Sequence, residues 1–145
     1  VSSIKFHQPK LTNMDFSTLN WLAIVVATIS TFVIGAIWYG PVFGKVWMQE
    51  NGFTEEDLKE ANMAKIYGTA FILELIMAIN LALFLKGLSV QEGLIYGFFT
   101  GFGWIAMAMG VNYLFSRNTI RLWFIDSFYF VISFTLMGAI LTAWV

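Results

Sequence analysis

Ile66-Tyr67-Gly68-Thr69-Ala70-Phe71-Ile72-Leu73-Glu74-Leu75-Ile76-Met77-Ala78-Ile79-Asn80-Leu81-Ala82-Leu83-Phe84-Leu85 holds a single acid, Glu74, and a single amide, Asn80, in a run otherwise apolar, aromatic or small. A hydrocarbon core of roughly 30 Å is crossed by a helix of about 20 such residues, so this stretch reads as a transmembrane helix. Three more stretches have the same length and character: Trp21 to Tyr39, Gly93 to Leu114 and Leu122 to Trp144. The whole chain agrees, being 59% hydrophobic and only 12% charged, where a soluble domain carries about 25% charged residues. The reading is an all-α, polytopic membrane protein: four transmembrane helices in an antiparallel bundle. The first span lacks a basic approach and a small-residue cleavage site, and with three spans behind it reads as retained rather than as a signal peptide.

Outward from the spans, the connections are unequal. Lys86 to Glu92 and Phe115 to Arg121 are tight and force antiparallel neighbours, whereas Gly40 to Lys65 is long enough to hold structure of its own. Within it, Thr54-Glu55-Glu56-Asp57 resembles a capping box with acids in the first turn, which predicts a short amphipathic interfacial helix over Glu55 to Ala64. Residues 1–13 are polar and unpatterned and precede Met14, so they read as a flexible tail or a vector remnant, with residues 14–145 forming the transmembrane domain. Lys45, Lys59, Lys65, Arg117 and Arg121 lie on one side of the spans. Lys86 lies on the other, with Lys5 and Lys10 of the tail. Positive charge is retained in the cytoplasm, which predicts both termini outside.

Several chemistries are excluded. No cysteine occurs, so there is no disulfide, thiolate metal site or Cys nucleophile, and His7, the sole histidine, lies in the tail. No metal ligand set or cofactor motif is present, and the basic residues form no stripe that would recruit nucleic acid.

Glu74 sits near mid-span, where a charge costs roughly 2.5–3.5 kcal/mol on insertion scales. Ala70, Ala78 and Ala82 share its face, a small-residue stripe that points into the bundle. It reads either as a protonatable relay or cation ligand, or as a neutral acid bonded to a carbonyl, to Asn80 or to Asn112. Asp126 falls about one turn inside the fourth span, with Tyr129 and Ser133 continuing its face. It reads as an interfacial partner of Arg117 and Arg121 or as part of a polar cleft. The candidate intramembrane polar site is therefore Glu74, Asn80, Asn112, Asp126, Tyr129 and Ser133. Gly93, Gly97 and Gly101, at spacings of four, form a helix-packing ridge whose partner, in this chain or in a second copy, is open. Trp21, Trp38, Tyr39, Trp47, Tyr67, Trp123 and Trp144 lie near span ends as interfacial anchors, and Trp104 reads as a core residue. Trp38, Tyr39, Gly40, Pro41, Gly44, Lys45 and Trp47 form an interfacial turn in which Pro41 ends the first helix.

At that turn the chain resembles the bacterial family called domain of unknown function 1761. The likeness runs from Asn20-Trp21-Leu22-Ala23 through Trp38-Tyr39-Gly40-Pro41 and Phe43-Gly44-Lys45-Val46-Trp47 to Met63-Ala64-Lys65-Ile66-Tyr67-Gly68, and covers residues 14 to the end. The resemblance implies a small multi-pass protein of the bacterial cytoplasmic membrane, and transfers no activity, ligand or cofactor. The leading functional reading is a small bundle assembled as a homo-oligomer or with another membrane protein, with lipid around it. The alternative is a transporter or channel for a proton, cation or small solute using Glu74. A lipid-handling membrane enzyme comes third, since no catalytic set is present.

Overall fold

The computed structural model describes residues 15–144, and every regular element among them is helical. The expectations for residues 1–13 lie outside the described residues. α1 (Trp21–Ile37) runs on through a π-helical turn, Trp38–Val42, and the long connection holds α2 (Gly44–Asn51) and α3 (Glu55–Glu60). α4 is Met63–Leu85. α5 (Val90–Phe99), a π-helical segment Thr100–Ala106 and α6 (Met107–Phe115) form one continuous rod, and α7 is Ile120–Ala143. Among the described residues four helical spans are long and apolar enough to cross a membrane: Trp21–Val42, Met63–Leu85, Val90–Phe115 and Ile120–Ala143. The chain is a multi-pass membrane protein.

Helix starts are set by polar caps. Asn20 accepts the Ala23 amide, Asn62 the Lys65 amide and Thr119 the Leu122 amide, and Thr54 with Asp57 and Ser89 with Glu92 form reciprocal capping boxes. The interfacial helix stops at Glu60, earlier than the sequence suggests, because Asn62 restarts the chain as the cap of α4.

Pro41 lies in the last turn of the first span, which ends one residue later at Val42. The helix passes it in a widened turn, closed by the Phe43 amide on the Trp38 carbonyl oxygen five residues back at 2.8 Å. A π turn lets the backbone slip past a residue that has no N–H to give and whose ring would press on the carbonyl four residues earlier. α2, a full helix where the sequence suggested only a turn, then begins at Gly44, where a Cβ would press on the Tyr39 carbonyl.

α7 is the hub. In its apolar window 44% of residues are buried, against 17–28% in the other three spans, because it is clasped from two sides. One face, with Ile125 and Tyr129, meets the first span and α4; the other, with Val131, Phe134, Gly138 and Thr142, receives α5 and the π segment. The glycine ridge is spent on this second contact. A Cβ on Gly93 would collide with the Gly138 carbonyl and Thr142, one on Gly97 with the Phe134 carbonyl, and one on Gly101 would lie 2.7 Å from the Val131 Cα. The π segment lengthens the next step, so that Ala106 follows Gly101 on the buried face five residues on, and Gly110 and Tyr113 continue it. α4 and α5, adjacent in sequence, scarcely touch.

Indoles tie the helices. Trp38 Nε1 donates to the Ile125 carbonyl and Trp123 Nε1 to the Ala106 carbonyl, both at 2.8 Å, the latter across the space left by Gly110. Trp104 lies on the outside of the bundle at 79% exposure, where the sequence suggested a core residue. It sits on the outer side of the π segment, whose inner side Gly101 and Ala106 occupy. At the end of the bundle carrying the start of α1 and the end of α7, Leu19, Ile24, Leu81, Leu85, Phe134 and Met137 close an apolar core. Asn20 Nδ2 bonds the Trp144 carbonyl there at 3.0 Å.

Candidate functional site

The opposite half of the bundle is hollow. Between α1, α4 and α7, under α2 and α3, lies a cavity of about 740 Å³. Its inner end is Glu74, only 8% exposed, and its walls include Asp126, Tyr39 and Tyr129.

Glu74 is placed by the small-residue face of α4 and met from two helices. Tyr129 of α7 donates its hydroxyl to Oε1 at 2.9 Å, reaching it past Gly35, and Thr31 of α1 lies on Oε2. Thr31 Oγ1 is also 2.6 Å from the Thr28 carbonyl oxygen. A hydroxyl has one proton, so Thr31 serves one acceptor at a time, and Tyr129, whose hydroxyl also lies 3.2 Å from the Thr31 carbonyl oxygen, serves the nearer Glu74 Oε1. If Glu74 is an acid, it donates to Thr31, Thr31 donates to Thr28, and Tyr129 donates to Glu74. If Glu74 is a carboxylate, Thr31 turns to Oε2 and Tyr129 stays. Both forms are satisfied by the same residues, through one hydroxyl rotation.

Asp126 accepts from two phenols, Tyr39 at 2.8 Å on Oδ1 and Tyr113 at 2.6 Å on Oδ2, which draws the α1 end, α6 and α7 together. Arg117 and Arg121 do not pair with it; Arg121 meets Glu50 of α2 at 3.6 Å, and Thr119 bonds the same carboxylate. No Lys, Arg or His lines the cavity among the described residues. At the rim Asp57 of α3 is fully exposed, and the Thr54 amide and hydroxyl hold its carboxyl below the usual carboxylate range.

Of the residues singled out from the sequence, Glu74 and Tyr129 bond each other, and Asp126 joins them on the cavity wall. Ser133 lies one turn beyond Tyr129, buried and without a hydrogen-bond partner. Asn80 is exposed, bonded only to the Ile76 carbonyl of its own helix, and Asn112 is exposed on α6; neither reaches Glu74. Of the interfacial turn, Tyr39, Gly40 and Trp47 face the cavity and Trp38 bonds α7, while Pro41 and Lys45 are exposed. Thr31 and Tyr113 were missed. Thr31 carried a signal, standing four residues before Gly35 and eight before Tyr39 on one helical face; Tyr113 carried none. Among the described residues no group of three acids or histidines is arranged to hold a metal ion.

No curated protein and no solved structure matches the chain. Residues 22–142 match the family described as Protein of unknown function (DUF1761). With most of its length inside that match, from the first span through the fourth, the chain belongs to the DUF1761 family.

Proposed function

We propose that the protein is a carrier of the bacterial cytoplasmic membrane in which Glu74 exchanges a proton with a small solute or cation admitted from the loop side of the bundle. The observation that supports this reading is the position of Glu74. It stands at the blind end of an open cavity, in a hydrogen-bond network that offers partners to its acid and to its carboxylate. Intramembrane carboxyls that face a cavity mark proton and ion pathways. Beyond Glu74 the path is shut by the apolar core, so this conformation is open to one side only. The basic residues of the first and third loops support an orientation with that open side toward the cytoplasm.

The test is proton movement in proteoliposomes holding a pH-sensitive dye, under imposed gradients of pH, alkali cations and small organic solutes. Glu74→Gln keeps the hydrogen bonds of the acid form and loses the titration, so its rate should fall to that of protein-free vesicles. A variant as fast as the wild type would sink the mechanism.

Assembly as a homo-oligomer is supported by a separate feature. A groove of about 900 Å³ between α4 and α5 is lined by Asn80, Phe84, Tyr96 and Trp104, and the Asn80 amide faces out of the bundle. An amide is donor and acceptor at once, so two copies would satisfy each other across a twofold axis. The glycine ridge, occupied by α7, is not the surface for this. Because the sequence lacks cysteine, an Asn80→Cys chain should form a disulfide-linked dimer in membranes on mild oxidation; persistence of the monomer counts against this face.

A further inference from the structure

The walls of the cavity carry more information than its acids. Aromatic rings run inward from the rim in an unbroken series: Phe53 to Trp47 at 5.5 Å between centroids, Trp47 to Tyr39 at 5.7 Å, and Tyr39 to Tyr129 at 5.3 Å. Phe32 of α1 and Tyr67 of α4, also on the lining, stand 6.3 Å apart. Tyr129 ends the first series on Glu74, and Tyr39 holds Asp126.

We propose that the cavity binds a lipophilic organic cation, an aryl- or alkyl-substituted ammonium or phosphonium, in exchange for the proton of Glu74; this rests on the carrier reading above. Four features select that ligand class. Ring faces attract cations. Two carboxyls without a basic neighbour repel an anion. The volume lies within the range of roughly 300–1,000 Å³ of sites for drug-sized molecules. A bare inorganic ion would need several oxygen ligands in place of its water shell, and these walls are mainly carbon. The titratable groups lining the cavity with Glu74 are Tyr39, Tyr67, Asp126 and Tyr129, with Asp57 at the rim, and none is a lysine, arginine or histidine.

The exchange balances. Glu74 as the acid gives its proton to water, which carries it through the open mouth to bulk solvent, and the carboxylate that remains is neutralised by the arriving cation. Thr31 turns its hydroxyl from the Thr28 carbonyl to Oε2, so no polar group is orphaned. Charge in the cavity is the same before and after.

The experiment is calorimetric titration of the full chain in nanodiscs with tetraphenylphosphonium, in buffers of different ionisation enthalpy, with empty nanodiscs subtracted. Triphenylphosphine oxide serves as the neutral analogue and tetraphenylborate as the anionic one. The phosphonium should bind and release about one proton per cation, while the other two do not bind. Glu74→Gln should lose the proton release, Glu74→Asp should retain it, and Asp126→Asn should weaken binding with release intact. Equal binding of triphenylphosphine oxide, unchanged release in Glu74→Gln, or no binding of the phosphonium overturns the proposal. Failure of the cation and failure of the carrier separate cleanly. Protein that binds no phosphonium yet moves protons through Glu74 in vesicles keeps the carrier and loses the cation; binding with proton release but without flux does the reverse.

Discussion

Thr31 has one proton and two oxygens within reach, and that shortage is what lets Glu74 exist in two states. Removing either hydroxyl partner should therefore cost stability as well as alter titration. Tyr129→Phe and Thr31→Val should each destabilise the fold by about 1 kcal/mol, the usual scale of an interhelical hydrogen bond in a membrane. The double variant should cost less than their sum, because both act on one carboxyl. Unfolding in mixed detergent micelles measures all three, and strict additivity would separate the two residues. At this scale the sequence announced the acids plainly, since a carboxyl in hydrocarbon stands out against its neighbours. It did not announce their partners. Thr31, Tyr39 and Tyr113 are ordinary residues for a span or its border, and only the crossing of three helices gives their hydroxyls a common object.

At the scale of elements, the contact of α5 with α7 is made of backbone against backbone. Gly97→Ala should cost about 1–3 kcal/mol, because its methyl would meet the Phe134 carbonyl and neither helix has a flexible side chain there to yield. Gly103→Ala, on the open side of the π segment, meets nothing and should be neutral or slightly stabilising. Thermal denaturation in detergent distinguishes them, and equal effects would refute this account of the ridge. The spacing of the glycines made a close contact legible but left its partner open, because Gly138 on α7 stands alone without a motif. The two π-helical turns were not legible at all. Their cause is local at Pro41, but at Thr100–Ala106 it is the demand that Gly101 and Ala106 face α7 together, which is a tertiary requirement.

Across the whole molecule, orientation is the property that matters for any vectorial function. Lys45 and Lys86 lie at opposite ends of the bundle and are both exposed. In cysteine variants of intact cells, Lys86→Cys should react with a membrane-impermeant maleimide from outside, and Lys45→Cys only after permeabilisation; the opposite pattern would place the cavity mouth outside. The number of spans was legible from hydropathy alone, whereas the hollow half under α2 and α3 was not, since it depends on how α1, α4 and α7 splay. The central role of α7 has a consequence for how the chain is made. It leaves the ribosome after the other three described spans, and α5 has almost no other helix to rest on. Until α7 inserts, the glycine face of α5 must wait in lipid or be held by a chaperone. A nascent chain arrested at Thr119 should therefore crosslink from Gly97 to insertion machinery rather than to itself, which makes insertion of α7 the moment at which quality control can tell a closed bundle from an open one.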